Sequence, residues 1–153
     1  MPNPQSLIPN PYCSLMDLGL GSQSGKALVF RRRHRISGSD EFAAVFGGKL
    51  RKTRGVVTVF LLANDGGEHR LGLSVGKRVG NAAVRGRLKR MIREAFRHQR
   101  AGLPMPKAGG AHGAYDIVVT ARKHDALSLE EYSKMLVEAV EAAHRAHEKR
   151  AGR

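Results

Sequence analysis

Residues 70–97 read RLGLSVGKRVGNAAVRGRLKRMIREAFR, and the fold turns on how the pattern changes along them. Leu71, Leu73 and Val75 alternate with small residues, a period of two that predicts a strand over 70–76. Asn81 then offers a side-chain oxygen to cap a helix running to about Arg100. On a helical wheel Val84, Leu88, Met91, Ile92 and Ala95 fall within roughly 100°, the width expected of a helix lying on a sheet.

The rest of that wheel is basic. Arg85, Arg87, Lys89, Arg90, Arg93, Arg97 and Arg100 occupy it, with Glu94 the only acid. Like charges at i, i+4 repel by a few tenths of a kcal/mol per pair, so the ladder Arg85–Lys89–Arg93–Arg97 suits a surface that an anion neutralises. The arginine bias favours phosphate, whose oxygens a planar guanidinium grips in pairs. Lys77 and Arg78 stand at the end of the preceding strand, and the helix N-terminus with its free N–H groups follows them.

Working outward, Arg31-Arg32-Arg33-His34-Arg35 is a basic run leading into a short helix. Ser37 or Ser39 is expected to cap it, with Asp40 and Glu41 in its first turn and Phe42, Val45 and Phe46 on one face. Gly47-Gly48 ends it. A short polar strand is expected over 49–52 and a β-branched one over 56–62 (VVTVFLL). Asn64-Asp65-Gly66-Gly67 forms a turn before the strand at 70–76. After the basic helix come a Gly- and Pro-rich loop over 102–113 and a buried strand over 115–121 (YDIVVTA). Ser128-Leu129-Glu130-Glu131 is a capping box opening a last helix whose apolar side carries Leu129, Tyr132, Leu136, Ala139 and Ala143. The order helix, three strands, helix, strand, helix is that of an α+β two-layer domain over 26–147, followed by a basic C-terminal tail at 148–153.

The 153 residues suit one domain, and 27 Lys+Arg against 13 Asp+Glu give a net charge of +14. Residues 1–25 sum to −1 and residues 101–153 to +1, so the whole excess lies in 26–100. A field that dense points to nucleic acid rather than to a small acidic molecule. A single cysteine, Cys13, excludes a disulfide framework and a cysteine-based zinc ribbon. No apolar run approaches the roughly 18 residues of a membrane span. Residues 1–25, with four of the six prolines, read as a disordered tail without the features of a secretory signal. The segment 18–27 resembles a phosphate-binding loop but has Leu20 where glycine is needed and Ala27 where Ser or Thr is needed. His144 and His147 are spaced i, i+3 on the last helix, with no further metal ligand in evidence.

The stretch 70–97, with His34-Arg35-Ile36, Asp40-Glu41-Phe42, Val45-Phe46 and the strands over 56–62 and 116–121, resembles the protein component of bacterial ribonuclease P over about residues 28–143. The resemblance implies an α-β sandwich with a four-stranded sheet and a left-handed βαβ crossover through the basic helix. It also implies a cytoplasmic subunit whose partners are the ribonuclease P RNA and precursor tRNA, with neither a membrane nor a small-molecule substrate. The RNA would cleave the precursor with Mg2+ held mainly by the RNA, so no catalytic residue is expected in this chain. Lys77, Arg78, Asn81, Arg85, Arg87, Lys89, Arg90 and Arg93 are then expected to touch the catalytic RNA, and Arg31, Arg32, Arg33 and Arg35 to make further phosphate contacts. Phe42, Phe46, Thr58 and Phe60 would form a cleft for the 5′ leader, Thr58 and Phe60 sharing a strand face with Val56 while Val57, Val59 and Leu61 fill the core. The opposite facing would exchange those roles, and Phe42 and Phe46 equally suit a core. The chain departs from the family at Gly86, where Arg-Asn-Arg is usual; glycine there costs roughly 0.5–1 kcal/mol of helix stability.

Three rival functions compete. A self-sufficient metal nuclease needs clustered carboxylates, and Asp40, Glu41, Asp65, Glu68 and Glu94 are scattered. A structural, ribosomal-type RNA-binding protein is the main alternative, although the aromatic consensus of the common four-stranded RNA-binding domain is missing. A basic membrane-surface protein is disfavoured because the helix's aliphatic stripe is needed for the core.

Overall fold

Six consecutive residues of one strand, from Ala114 to Val119, are buried, because that strand has neighbours on both edges and cover on both faces. The computed structural model describes residues 30–107 and 113–152; the tail expected over 1–25 and the loop-like segment at 18–27 lie outside them. The elements are α1 (Ser39–Gly47), β1 (Arg51–Arg54), β2 (Val57–Asn64), β3 (Arg70–Leu73), α2 (Ala82–Gln99), β4 (Ala114–Ala121) and α3 (Leu129–Ala151). The expected α+β element order is therefore observed.

The sheet order is β1-β2-β4-β3, with β1–β2 and β2–β4 antiparallel and β3–β4 parallel. The parallel pair is joined through α2, which makes β3–α2–β4 the βαβ unit. On one face Val57, Val59, Leu61, Leu71, Ile117 and Val119 pack against Leu88, Ile92, Ala95 and Phe96 of α2 and Tyr132, Leu136, Ala139, Val140 and Ala143 of α3. This settles the facing of β2: its odd-numbered residues fill the core, while Thr58, Phe60 and Leu62 are half-buried on the other side. Val56 precedes the strand and packs with the main core, not with Phe60. The second face carries a smaller cluster of Ile36, Val45 and Val118, flanked by Phe42, Phe60 and Leu62, beneath α1.

Several boundaries differ from expectation. Strand β3 stops at Leu73, since Ser74 makes the last bond to β4 (its N–H to Val119 O, 3.0 Å) and the chain then turns through Lys77–Val79. The polar strand is Arg51–Arg54, two residues later than expected. Helix α3 continues through Ala151, so residues 148–151 are helix rather than tail, and Arg150 reaches the carbonyls of Gly48 and Lys49. Its capping box is present as expected, Ser128 and Glu131 satisfying each other's backbone N–H.

Candidate nucleic-acid interface

The basic N-terminal run is tied to the edge of the sheet. Ile36 donates its N–H to Leu71 O (2.9 Å), and Arg35 forms a parallel bridge with Leu71. His34 plugs this junction, buried, its Nδ1 accepting the Arg31 N–H at 3.0 Å. Its proton therefore sits on Nε2, 3.3 Å from Glu68 Oε2. Burial, with Arg100 nearby, pulls the imidazole below its ordinary value. Arg33 is neutralised by Glu68 at 2.9 Å, whereas Arg31 and Arg32 are exposed. The Arg35 guanidinium stands 5.1 Å from the centre of the Phe30 ring.

Helix α1 is anchored differently from the sequence expectation. Its N-cap is Gly38, neither Ser37 nor Ser39; Glu41 reaches back to accept the N–H groups of Ser37 and Gly38 (3.4 and 3.3 Å). The other Glu41 oxygen accepts Arg70 Nη1 at 2.8 Å. Arg70 also makes a two-pronged pair with the buried Asp116, through Nε (2.8 Å) and Nη2 (2.5 Å), and Asn64 Nδ2 donates to the same carboxylate at 2.6 Å. The Arg70 bonds hold the Glu41 carboxyl below its usual range. Seated this way, α1 crosses the second face of the sheet. Phe42 lies over Gly72, where an added Cβ would sit 2.9 Å from its ring, and Phe46 meets Phe60 edge to face at 4.7 Å.

Helix α2 begins as expected, Asn81 Oδ1 accepting the Val84 N–H at 3.0 Å. Lys77 and Arg78 are exposed in the turn before it. The buried stripe starts only at Leu88 and extends to Phe96; Val84, expected on it, is 44% exposed. It leans instead over Gly80, where a Cβ would come within 2.8 Å of it. Lys89 and Arg93, one turn apart, line a cleft of about 210 Å³ with Arg35, Phe30, Ile36, Phe42, Leu71 and Leu73. Arg87 and Arg90 are exposed and Arg85 half-buried, with Arg87 on a separate pocket facing α3. The ladder ends before Arg97, which pairs with Glu94 at 2.9 Å and depresses that carboxyl. At Gly86 an added Cβ would have only Arg90 Nη1 within contact range, at 3.6 Å.

Of the four expected cleft residues, Phe42 alone lines the basic cleft. Phe46 and Phe60 continue from it as an aromatic row, Phe42 and Phe46 stacking at 6.4 Å. Phe46 is 37% exposed, so the row belongs wholly neither to core nor to surface. Thr58 is bonded through its hydroxyl to Thr53 at 2.9 Å, across β2 and β1. Sequence reading missed Phe30, Leu71 and Leu73 as cleft walls, because the pairing of Arg35 with Leu71 is non-local and leaves no local signature. It also missed Arg70–Asp116, for which a signal existed: an acid on a buried strand requires a partner.

Among the described residues no three His, Cys, Asp or Glu side chains gather as a metal site, and no helix is long and apolar enough to cross a membrane. The ribonuclease P family profile matches residues 30–144. The ribonuclease P protein component of Bacillus cereus is 38% identical over 113 residues, covering 72% of this chain and 88% of that protein. The Staphylococcus aureus RNase P protein superposes with a TM-score of 0.59 at 27% identity, over 72% of this chain and 94% of that one. The Thermotoga maritima RNase P protein shares the fold, with a TM-score of 0.59 at 24% identity over 72% and 96% of the two chains. The matched span takes in the basic N-terminal run, α1, the whole sheet and α2, so the chain belongs to the ribonuclease P protein family.

Proposed function

We propose that this chain is the protein subunit of a ribonuclease P ribonucleoprotein, binding the catalytic RNA and the 5′ leader of precursor tRNA. The observation that carries the reading is the juxtaposition of Lys89, Arg93 and Arg35 with Phe30 and Phe42 in one cleft, continued by Phe46 and Phe60. Cations along a groove with aromatic rings beside it match the demands of a single RNA strand, whose phosphates need charge and whose bases stack with little regard to sequence. The exposed Lys77, Arg78, Arg87 and Arg90, with Asn81 and Arg85, then face the folded RNA subunit. Arg31 and Arg32, exposed and directly after Phe30 in the chain, add phosphate contacts.

Cleavage is assigned to the RNA. In this reading Glu41 and Asp116, both engaged by Arg70, serve to position α1 on the sheet. The protein's part is to bind, orient and supply positive potential. Equilibrium binding of precursor and mature tRNA to the assembled ribonucleoprotein tests this. A preference for the precursor that vanishes when the leader is removed supports leader recognition; equal affinities contradict it.

A further inference from the structure

A second concavity, of about 260 Å³, opens between the first half of α2 and the β4–α3 connection. Its walls are Val79, Val84, Leu88 and Ala126 on the apolar side, with Arg87, His124, Asp125 and Tyr132 completing it. The leader cleft uses none of these residues.

His124 is locked in place. Its Nδ1 lies 2.7 Å from Arg122 O, and a carbonyl only accepts, so Nδ1 carries the proton. Nε2 then accepts the Tyr132 hydroxyl at 2.7 Å. Both ring nitrogens are satisfied inside the protein, which fixes the imidazole plane. Arg87 brings a guanidinium to the same pocket, and an imidazole face is one on which a splayed RNA base stacks. The surroundings are cationic: Lys77 and Arg78 precede Val79, and Arg122 and Lys123 precede His124, all four exposed. Asp125 is the one acid in the lining. Val84 is left 44% exposed at this site, apolar surface that a flat ring would cover. A bare phosphate would gain nothing from Val79, Val84, Leu88 and Ala126, and an apolar peptide would gain nothing from the cations.

We infer that this pocket receives one unpaired nucleobase of the RNA subunit, a base bearing an exocyclic amine, with Asp125 accepting from that amine and Arg87 gripping the adjoining phosphate. The inference rests on the proposed association with that RNA and adds to it a single-base site built from residues that the leader cleft does not use. A carboxylate accepts from an exocyclic amine, which adenine, cytosine and guanine carry and uracil lacks.

The test uses the full chain assembled with the RNA subunit, probed with dimethyl sulfate, which methylates the pairing edge of unpaired adenine and cytosine, and with kethoxal, which modifies that of unpaired guanine. The wild-type chain protects at least one such base. Ala126→Phe, which fills the pocket, restores its reactivity and weakens RNA binding about tenfold, while Asp125→Asn restores reactivity with a smaller loss. Melting temperatures within a few degrees of wild type certify that both variants fold. Footprint and affinity unchanged by both substitutions overturn the pocket. Loss of affinity for an unrelated protein partner, with RNA binding intact, overturns it equally. A wild-type chain that fails to bind the RNA at all instead defeats the association itself, and the pocket with it.

Discussion

Arg70 and Glu41 meet at 2.8 Å, and through that contact the start of β3 holds the helix that roofs the second face of the sheet. The other two arms of the guanidinium grip Asp116 on the central strand. One side chain thus joins sheet and α1, which carries Phe42 to the cleft. We predict that Arg70→Ala, which strands a buried carboxylate, lowers stability by about 3–5 kcal/mol in urea unfolding. Glu41→Ala, a partly exposed partner, costs only about 0.5–1 kcal/mol but loosens α1. Equal losses from the two would show that Asp116 does not depend on Arg70.

Gly72 is the space into which Phe42 sinks, an added Cβ falling 2.9 Å from the ring. Gly72→Ala is expected to destabilise by about 1–3 kcal/mol through overpacking and to weaken precursor binding more than mature tRNA binding. An unchanged melting temperature would mean that α1 shifts freely over the sheet.

Removing Lys89 or Arg93 should make the log–log dependence of RNA binding on salt shallower by about 1 for each phosphate no longer neutralised. Arg97, paired with Glu94, should change that slope less. Titrations at several salt concentrations distinguish the three, and an identical slope for all would remove the cleft from the binding path.

Much of this was legible beforehand. The Asn81 cap, the Ser128–Glu131 box and the alternation along β2 follow from local rules of hydrogen bonding and periodicity, and the structure has them. What escaped is non-local. Glu41, three residues after Gly38, is a local signal for its bond to that N–H, but nothing near it says that its other oxygen will meet Arg70, twenty-nine residues away. Val84 sits on the apolar arc of the wheel yet stays exposed, since a wheel records angle and not how far the packed neighbour extends. The basic ladder looks unbroken on that wheel for a similar reason: it does not show Arg97 turning to Glu94.

His34 and His69 are buried, and each accepts a backbone N–H at Nδ1, from Arg31 and Tyr115 respectively. Protonation of Nδ1 forbids those bonds, and burial holds both rings below the ordinary imidazole value. The unfolded chain therefore binds more protons than the folded one below about pH 6.5, so stability is intact above that and falls as the pH drops. Urea midpoints at about pH 7.5 and about pH 5.5, either side of that value, should differ accordingly. A flat profile would mean that neither ring stays neutral by burial.

Phe60→Ala removes the far end of the aromatic row and should weaken precursor tRNA binding by about 1–3 kcal/mol while sparing mature tRNA. Equal loss for both would make Phe60 a packing residue only.

The most direct measurement is the rate of 5′ leader removal from precursor tRNA at low magnesium, comparing the cognate RNA subunit alone, the chain alone, and the two together. The RNA should be slow, the chain inert and the assembly fast. No gain on adding the chain, or scission by the chain without RNA, would contradict the account.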